Sequence, residues 1–178
     1  MINSSGSTKE RRSLRLPAFE YSQPGFYFVT ICCYRKRQLF GKFENHGLTL
    51  SEFGKISSNA WSQIPDHFDH VKLDALTVMP NHLHGILHFE GRGTACRAPT
   101  EESFGRPVAS SLPTVIRSYK SAVTRKINLI RSTHASPVWQ RNYYEHIIRS
   151  EESLNQYRRY IDENPLRWSL DLENPLNT

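Results

Sequence analysis

Two histidines separated by one leucine are the strongest chemical signal in this sequence. His82, Leu83 and His84 lie in an apolar run that continues to Phe89. If the run is a β-strand, its side chains alternate between two faces, so both imidazoles share one face and Leu83 lies on the other. Residues at i and i+2 of a strand are about 6–7 Å apart at the backbone, and two such rings can converge on one ion. The pair is a candidate metal site, although histidines at this spacing also occur by chance on exposed strands.

The ion that such a site would prefer depends on its remaining ligands. Two imidazoles leave coordination positions for water or for substrate oxygens. A third ligand with an oxygen donor favours Mg²⁺ or Mn²⁺, and either ion can polarise a phosphodiester. Zinc stays open as an alternative, although Cys32, Cys33 and Cys96 do not have the spacing of a zinc site.

The attacking group in phosphate chemistry can be water or a tyrosine hydroxyl. Tyr160 is the candidate because of its place on the last predicted helix. At 100° per residue, Tyr160 and Asn164 lie along one flank of the apolar stripe, and as an i, i+4 pair they are neighbours. The alternative is a tyrosine at an amphipathic boundary and an asparagine that ends the helix before Pro165. The residues alone favour that alternative.

The elements that must position these residues follow an order typical of an α+β fold. The strands are predicted at 26–34, 48–50, 71–79, 82–89 and within 138–148. The helices are predicted at 52–64, 112–130 and 151–163, with Ser51 and Ser150 as N-caps. We expect the last helix to end near Glu163, because a proline disfavours helical geometry in the residue before it. This order resembles a ferredoxin-like sandwich, an antiparallel sheet with packed helices, and we expect the C-terminal helix to carry Tyr160 to the face of the histidines.

Charge and length indicate one basic domain. The chain has 178 residues and a formal net charge of +6. We predict the domain at 16–170 with a flexible loop at 91–111, a basic arm at 1–15 and a tail at 171–178. A basic balance suggests a polyanionic partner such as nucleic acid, or a protein that is merely basic. The candidate DNA contacts are Arg11, Arg12, Arg15, Arg35, Lys36, Arg37, Arg117 and Lys120.

The sequence also predicts where the protein works. No apolar run approaches the ~20 residues that a membrane span needs, and residues 1–13 lack the apolar centre of a secretory signal. The cysteines form no disulfide framework. We therefore predict a cytoplasmic protein without a membrane partner.

Several segments together resemble one known family. Met79-Pro80-Asn81-His82-Leu83-His84 resembles the HUH motif (His, hydrophobic, His) of single-strand DNA transposases with one catalytic tyrosine. Residues 139–149 and 160–165 are similar to later motifs of the REP-associated branch of that family, the REP-associated tyrosine transposases. Residues 15–17 and 21–30 resemble its N-terminal region. The similarity spans about residues 10–168, with the segments in the family's order.

The resemblance implies a ferredoxin-like fold and the cleavage and rejoining of single-stranded DNA. It implies that His82 and His84 bind a divalent metal, Mg²⁺ or Mn²⁺, and that Tyr160 is the nucleophile of a 5′-phosphotyrosine intermediate. Asn164 matches a position where family members supply a polar metal ligand. The implied DNA is single-stranded and carries imperfect hairpins, and the implied state is a monomer or a homodimer.

Three other readings of the same residues stay open. A domesticated nuclease that cuts repeated hairpins without transposition would have the same site. A noncatalytic nucleic-acid-binding module of the same fold would not need His82, His84 and Tyr160 together. A hydrolase that uses metal-bound water would make Tyr160 structural.

Overall fold

The computed structural model describes residues 20–44, 47–91, 108–170 and Asn174. The predicted N-terminal arm, with Arg11, Arg12 and Arg15, and most of the predicted loop at 91–111 lie outside the described residues. No helix in the described ranges is long and apolar enough to cross a membrane.

The described residues form a four-stranded antiparallel sheet, a separate hairpin and four α-helices. The strands are β1 Gly25–Cys32, β2 Gly41–Glu44, β3 Gly47–Leu50, β4 Val71–Val78, β5 His82–Phe89 and β6 Tyr144–Ile148. The helices are α1 Glu52–Ser62, α2 Ile64–His67, α3 Leu112–Ile130 and α4 Glu151–Glu163, and short 3₁₀ helices cover Tyr34–Lys36 and Asn164–Leu170. The sheet has the order β4-β5-β1-β6, and β2 pairs with β3 outside it. Without the β2–β3 hairpin and α4, the sequence of elements and the order of the strands are those of a ferredoxin-like sandwich, so the predicted fold class is confirmed.

The two faces of the sheet are covered by different helices, as the alternation along β5 requires. Leu83, Leu87 and Phe89 point into the main core, where residues of α1 and α3 pack on the sheet. The intervening positions face the other way. A smaller core on that side joins Phe28 of β1 and Ile86 of β5 to three buried residues of β6 and α4, Ile148, Leu154 and Ile161. The histidine face is therefore the face that α4 covers.

A glycine in the middle of β5 allows α1 to pack closely on the main core. A Cβ atom on Gly85 would lie 2.4 Å from Cζ2 of Trp61, a distance that real contacts essentially never show. The Trp61 ring is fully buried and meets Tyr119 edge to face at 5.3 Å. Close packing at Gly85 thus sets the position of the strand between His84 and Ile86.

The predicted helix starts and the predicted end of α4 near Glu163 are confirmed, but the expected non-helical geometry of Asn164 is wrong. The Ser51 and Ser150 hydroxyls each accept a hydrogen bond at 3.1 Å from the backbone N–H three residues later, as N-caps do. Asn164, however, keeps helical angles of φ −56° and ψ −43°. The chain continues into the 3₁₀ helix because Pro165 lies at its start, where a missing N–H costs no hydrogen bond.

Candidate active site

The register of the sheet sets the surroundings of the two histidines. Thr30 of β1 lies opposite His84, and Tyr144 of β6 lies opposite Thr30 on its other side. Both histidines are buried beneath α4. The site is therefore built on three neighbouring strands, β5, β1 and β6, of which β5 and β1 are the central strands of the sheet.

The two imidazoles converge through one nitrogen each. Nε2 of His82 lies 3.0 Å from Nε2 of His84. Two nitrogens that are each about 2.1 Å from one ion, at a right angle, are about 3.0 Å apart, as in octahedral coordination. The spacing of the pair thus fits a single divalent ion.

The outer nitrogens of the pair are held by side chains that orient the rings. Nδ1 of His82 is 2.8 Å from Oδ1 of Asn81, whose own amide nitrogen donates to the carbonyl of Lys36 at 3.3 Å. Because the amide oxygen can only accept, Nδ1 of His82 carries the hydrogen and Nε2 keeps its lone pair. Nδ1 of His84 pairs with the Thr30 hydroxyl at 2.8 Å. Such partners fix the tautomer and the ring orientation of metal-binding histidines.

The protonation state of His82 also suits a metal ligand. Burial, together with the smaller effect of the positive charge of Lys36, lowers the pKa of His82 to about 3. The imidazole is therefore neutral at ordinary pH, which is the form that coordinates a metal.

Tyr160 lies beside the histidine pair in the same chain. Its hydroxyl is 3.4 Å from Nε2 of His84, and the two ring centres are 5.1 Å apart. The residue is 45% exposed, so one side of it stays open to solvent. The structure thus brings together the tyrosine and the two histidines that the sequence singled out, across 76 residues of chain.

Asn164 supplies a buried oxygen one helical turn beyond Tyr160. The residue is 4% exposed, and its Oδ1 atom has no hydrogen-bond partner among the described residues. A buried carbonyl oxygen without a partner is costly unless something binds it. No group of three His, Cys, Asp or Glu side chains within the described ranges could hold a metal. A third protein ligand for an ion at the histidine pair would then be of another type, and an amide oxygen such as that of Asn164 is a suitable donor for Mg²⁺ or Mn²⁺.

Two aromatic rings support His82 from the side of the C-terminal 3₁₀ helix. The ring centre of Trp168 lies 6.0 Å from that of His82. Phe43 of β2 stacks on Trp168 at 5.7 Å with an interplanar angle of 11°. Asn174, inside the predicted tail, is buried and donates a hydrogen bond to the Trp168 carbonyl at 3.0 Å.

Comparisons with known proteins concern the chain as a whole. No protein-family model matches the chain. A protein of Haemophilus influenzae described only as uncharacterized is 38% identical over 166 residues, which are 90% of this chain and 91% of that protein. A second H. influenzae protein, named as a candidate REP-associated tyrosine transposase, is 22% identical over 149 residues, 83% of this chain and 74% of its own length. The chain is thus similar, over most of its length, to a protein with that name.

A solved transposase structure shares the fold of this chain. The solved structure of a REP-associated tyrosine transposase bound to a REP hairpin matches 86% of this chain and 73% of its own, with a TM-score of 0.59 and 18% identity. These similarities connect the chain with transposases, which are DNA-processing enzymes.

The basic residues predicted to contact DNA are divided between the two sides of the molecule. Arg35, Lys36 and Arg37 follow β1 near the histidine strand, where the carbonyl of Lys36 holds Asn81. Arg35 and Arg37 are exposed. Arg117 and Lys120 lie on α3, across the sheet from the histidines. They do not join this site, and their contact with DNA stays a prediction.

Lys120 has a structural task that the sequence did not indicate. Its ammonium group donates to the carbonyls of Gln140, Arg141 and Asn142, at 2.6, 3.4 and 3.3 Å. Burial lowers the pKa of Lys120 to about 8. The side chain thus holds the segment that leads into β6.

Sequence reasoning missed the residues that orient the histidines. Asn81 directly precedes His82 and is a polar residue between two apolar runs. That position could have indicated a residue that contacts His82, in addition to a turn. Thr30 and Trp168 gave no such signal. Their proximity to the histidines depends on the β1–β5 register and on the path of the chain after α4.

Proposed function

We propose that the protein is a metal-dependent endonuclease and strand transferase of single-stranded DNA, with Tyr160 as its nucleophile. The observation that carries the proposal is the 3.4 Å distance between the Tyr160 hydroxyl and Nε2 of His84, next to a second imidazole nitrogen. A nucleophile beside a candidate ion site is the arrangement that phosphoryl transfer requires.

His82, His84 and Asn164 would hold Mg²⁺ or Mn²⁺. When bound, the ion would polarise the scissile phosphate and stabilise the charge that develops on it. The support is the convergence of the two Nε2 atoms and the buried Asn164 oxygen. Asn81 and Thr30 act on the other nitrogens and keep the rings in the orientation for binding.

The covalent step exchanges one phosphate ester for another. The Tyr160 oxygen bonds to phosphorus, and the bond between phosphorus and the 3′ oxygen of the preceding nucleotide breaks. The phenol proton passes to solvent, to which Tyr160 is open, and the departing 3′ oxygen takes up a proton. A 3′-hydroxyl of another strand then attacks the 5′-phosphotyrosine, which rejoins DNA and releases the tyrosine. No nucleotide cofactor is needed, because the ester energy is kept in the covalent link.

The proposed substrate is single-stranded DNA that carries an imperfect hairpin. The structural relative bound to a REP hairpin supports this class of substrate. Arg35 and Arg37 can contact the DNA backbone, and the predicted arm would add Arg11, Arg12 and Arg15. Tyr144 is exposed on the histidine face and can stack on an unpaired base, whereas Tyr143 packs against the main core.

A labelled-DNA assay tests the proposal. Single-stranded DNA with a hairpin, labelled at its 3′ end, is incubated with Mn²⁺ and run on a denaturing gel. The labelled fragment should migrate as a covalent protein–DNA species, absent in Tyr160→Phe and in His82→Ala. Tyr157→Phe is the matched control, because it removes a hydroxyl from the same helix and keeps the ring that packs on Phe28.

Each other outcome identifies a different function. Cleavage that survives Tyr160→Phe would mean that water is the nucleophile and would refute the assignment of Tyr160. Binding of many hairpins without cleavage would indicate a noncatalytic module. Cleavage without rejoining to a second strand would indicate a nuclease that no longer transposes.

A further inference from the structure

We propose that an ion pair between Arg158 of α4 and Asp74 of β4 is the contact that positions Tyr160 over the histidines. We call this pair the α4 latch. The inference rests on the proposed function, because it assigns a positioning role in that reaction to two residues that do not touch the reacting atoms.

A β-bulge in β4 places two consecutive residues, Asp74 and Ala75, on the α4 side of the sheet. Leu73 pairs with Leu87 and Leu76 pairs with Gly85, so Asp74 and Ala75 together oppose the single residue Ile86. Bulges of this kind re-aim a side chain and are common next to active sites. Ala75 packs into the small core under α4, and Asp74 faces the helix from the same segment.

The α4 latch has the geometry of a strong pair. The guanidinium of Arg158 donates from Nε to Oδ1 of Asp74 at 2.8 Å and from Nη2 to Oδ2 at 2.5 Å. Its Nη1 atom donates to Asn155 on the preceding turn at 3.2 Å. Such a two-point contact between planar groups fixes orientation as well as distance. The pair lies at the surface, with the Arg158 side chain 42% exposed and the Asp74 side chain 14% exposed, so its two-point geometry matters more than its charge.

The latch lies where it can control the roll of α4 about its axis. With Leu154 at 0° on the helical wheel, Ile161 falls at about 340°, Arg158 at about 40° and Tyr160 at about 240°. Arg158 and Tyr160 thus flank the buried stripe on opposite sides. The apolar contact between α4 and the sheet is small, since only a few side chains of the helix belong to the core beneath it. The ion pair of Arg158 therefore restrains rotation of α4 about its axis, and with it the position of Tyr160.

The reaction should be sensitive to this roll. The tyrosine oxygen extends about 9 Å from the helix axis, so a roll of about 10° moves it by about 1.5 Å. A misplacement of about 1 Å can slow a reaction by about 100-fold. Tyr160 is two residues from Arg158, so loss of the latch should affect the chemical step more than DNA binding.

A double-mutant cycle tests the α4 latch. Asp74→Asn, Arg158→Gln and the double variant are compared for the rate of covalent adduct formation at saturating DNA and for the KM of DNA. Each single variant should be slower by about tenfold with a KM within about twofold of wild type, and the double variant should be no slower than either single. Glu90→Gln is the matched control, because it removes a carboxylate from an exposed ion pair with Lys72 of β4, and it should react at the wild-type rate. Single variants at the wild-type rate, or a double variant as slow as the product of the two effects, would overturn the proposal.

Hydrogen exchange separates this proposal from the proposed function. Without DNA or metal, the amides of α4 should exchange faster in Asp74→Asn than in wild type, whereas those of β5 and α3 should not change. If wild type forms no adduct, the proposed function fails, and exchange still reports whether the pair holds α4. If wild type forms the adduct and exchange in α4 is the same in the variant, the α4 latch is wrong and the proposed function stands.

Discussion

A methyl group added at Gly85 should disturb the histidine site from the opposite face of the sheet. The Cβ of Gly85→Ala would lie 2.4 Å from Cζ2 and 2.7 Å from Cη2 of Trp61. Carbon atoms in favourable contact are about 3.5–4.0 Å apart, so the strand or the indole must move by about 1 Å. The Trp61 ring is fully buried and cannot turn away into solvent. Part of the movement must therefore fall on β5, and His84 is the next residue.

The expected size of the effect follows from overpacking. Such a substitution costs about 1–3 kcal/mol of folding free energy. In a protein of this length, each kcal/mol lowers the melting temperature by about 2–4 °C, so Tm should fall by about 2–12 °C. Displacement of His84 should weaken Mn²⁺ binding by about 10-fold or more, as loss of a ligand's orientation does. Thermal unfolding without metal and calorimetric titration with Mn²⁺ measure the two effects separately.

Two further variants make the test decisive. Gly91→Ala is the control, because its added Cβ meets Pro24 at an ordinary 3.4 Å, and it should behave as wild type. The double variant Trp61→Phe/Gly85→Ala should lose less folding free energy than the two single variants lose in sum, because the smaller ring leaves room for the methyl group. If Gly85→Ala keeps both the wild-type Tm and the wild-type Mn²⁺ affinity, close packing at Gly85 does not set the position of His84.

Three other predictions concern the site directly. Asn81→Ala should weaken Mn²⁺ binding by about 10–100-fold in calorimetry, since His82 loses the partner of its Nδ1 hydrogen, and the exposed Asn59→Ala should not. A mixture of His82→Ala and Tyr160→Phe should form no adduct in the gel assay, because Tyr160 meets His84 of its own chain; an active mixture would show that two chains share the site. The metal-free protein should lose about 2 kcal/mol between pH 7 and pH 5 in urea unfolding because of His82. The pKa of His82 is about 3 in the folded protein and 6.5 in the unfolded chain, so the stability contributed by its neutral form is complete above pH 6.5 and is lost as the pH falls. The variant His82→Gln should not show this loss.

Local signals in the sequence predicted much of the fold because they act over a few residues. Ser51 and Ser150 begin helices, since a side chain and a backbone N–H three positions apart suffice for a cap. Alternation along β5 correctly separated His82 and His84 from Leu83, because a strand has a period of two residues.

The parts that were not predicted depend on contacts between distant segments. The pairing of Thr30 with His84 joins residues 54 positions apart, and no local pattern specifies that register. The β2–β3 hairpin was only partly predicted, because β2 pairs outside the main sheet and has a weak alternation. The helical backbone of Asn164 was not predicted. A residue before proline usually avoids helical geometry, but here a 3₁₀ helix begins at Asn164 itself.

Substitutions in the β2–β3 hairpin can alter the surroundings of His82 without replacing any residue of the proposed site. The hairpin stands outside the ferredoxin-like sheet, and it reaches His82 through the stacked rings of Phe43 and Trp168. Connections of this kind tolerate substitutions and changes of length that a core strand does not. Natural variation in the hairpin can shift the Trp168 ring and alter the packing around His82 while the two histidines and Tyr160 stay in place. Differences in metal preference or cutting rate among relatives are then to be sought in a segment that contains none of the proposed site residues.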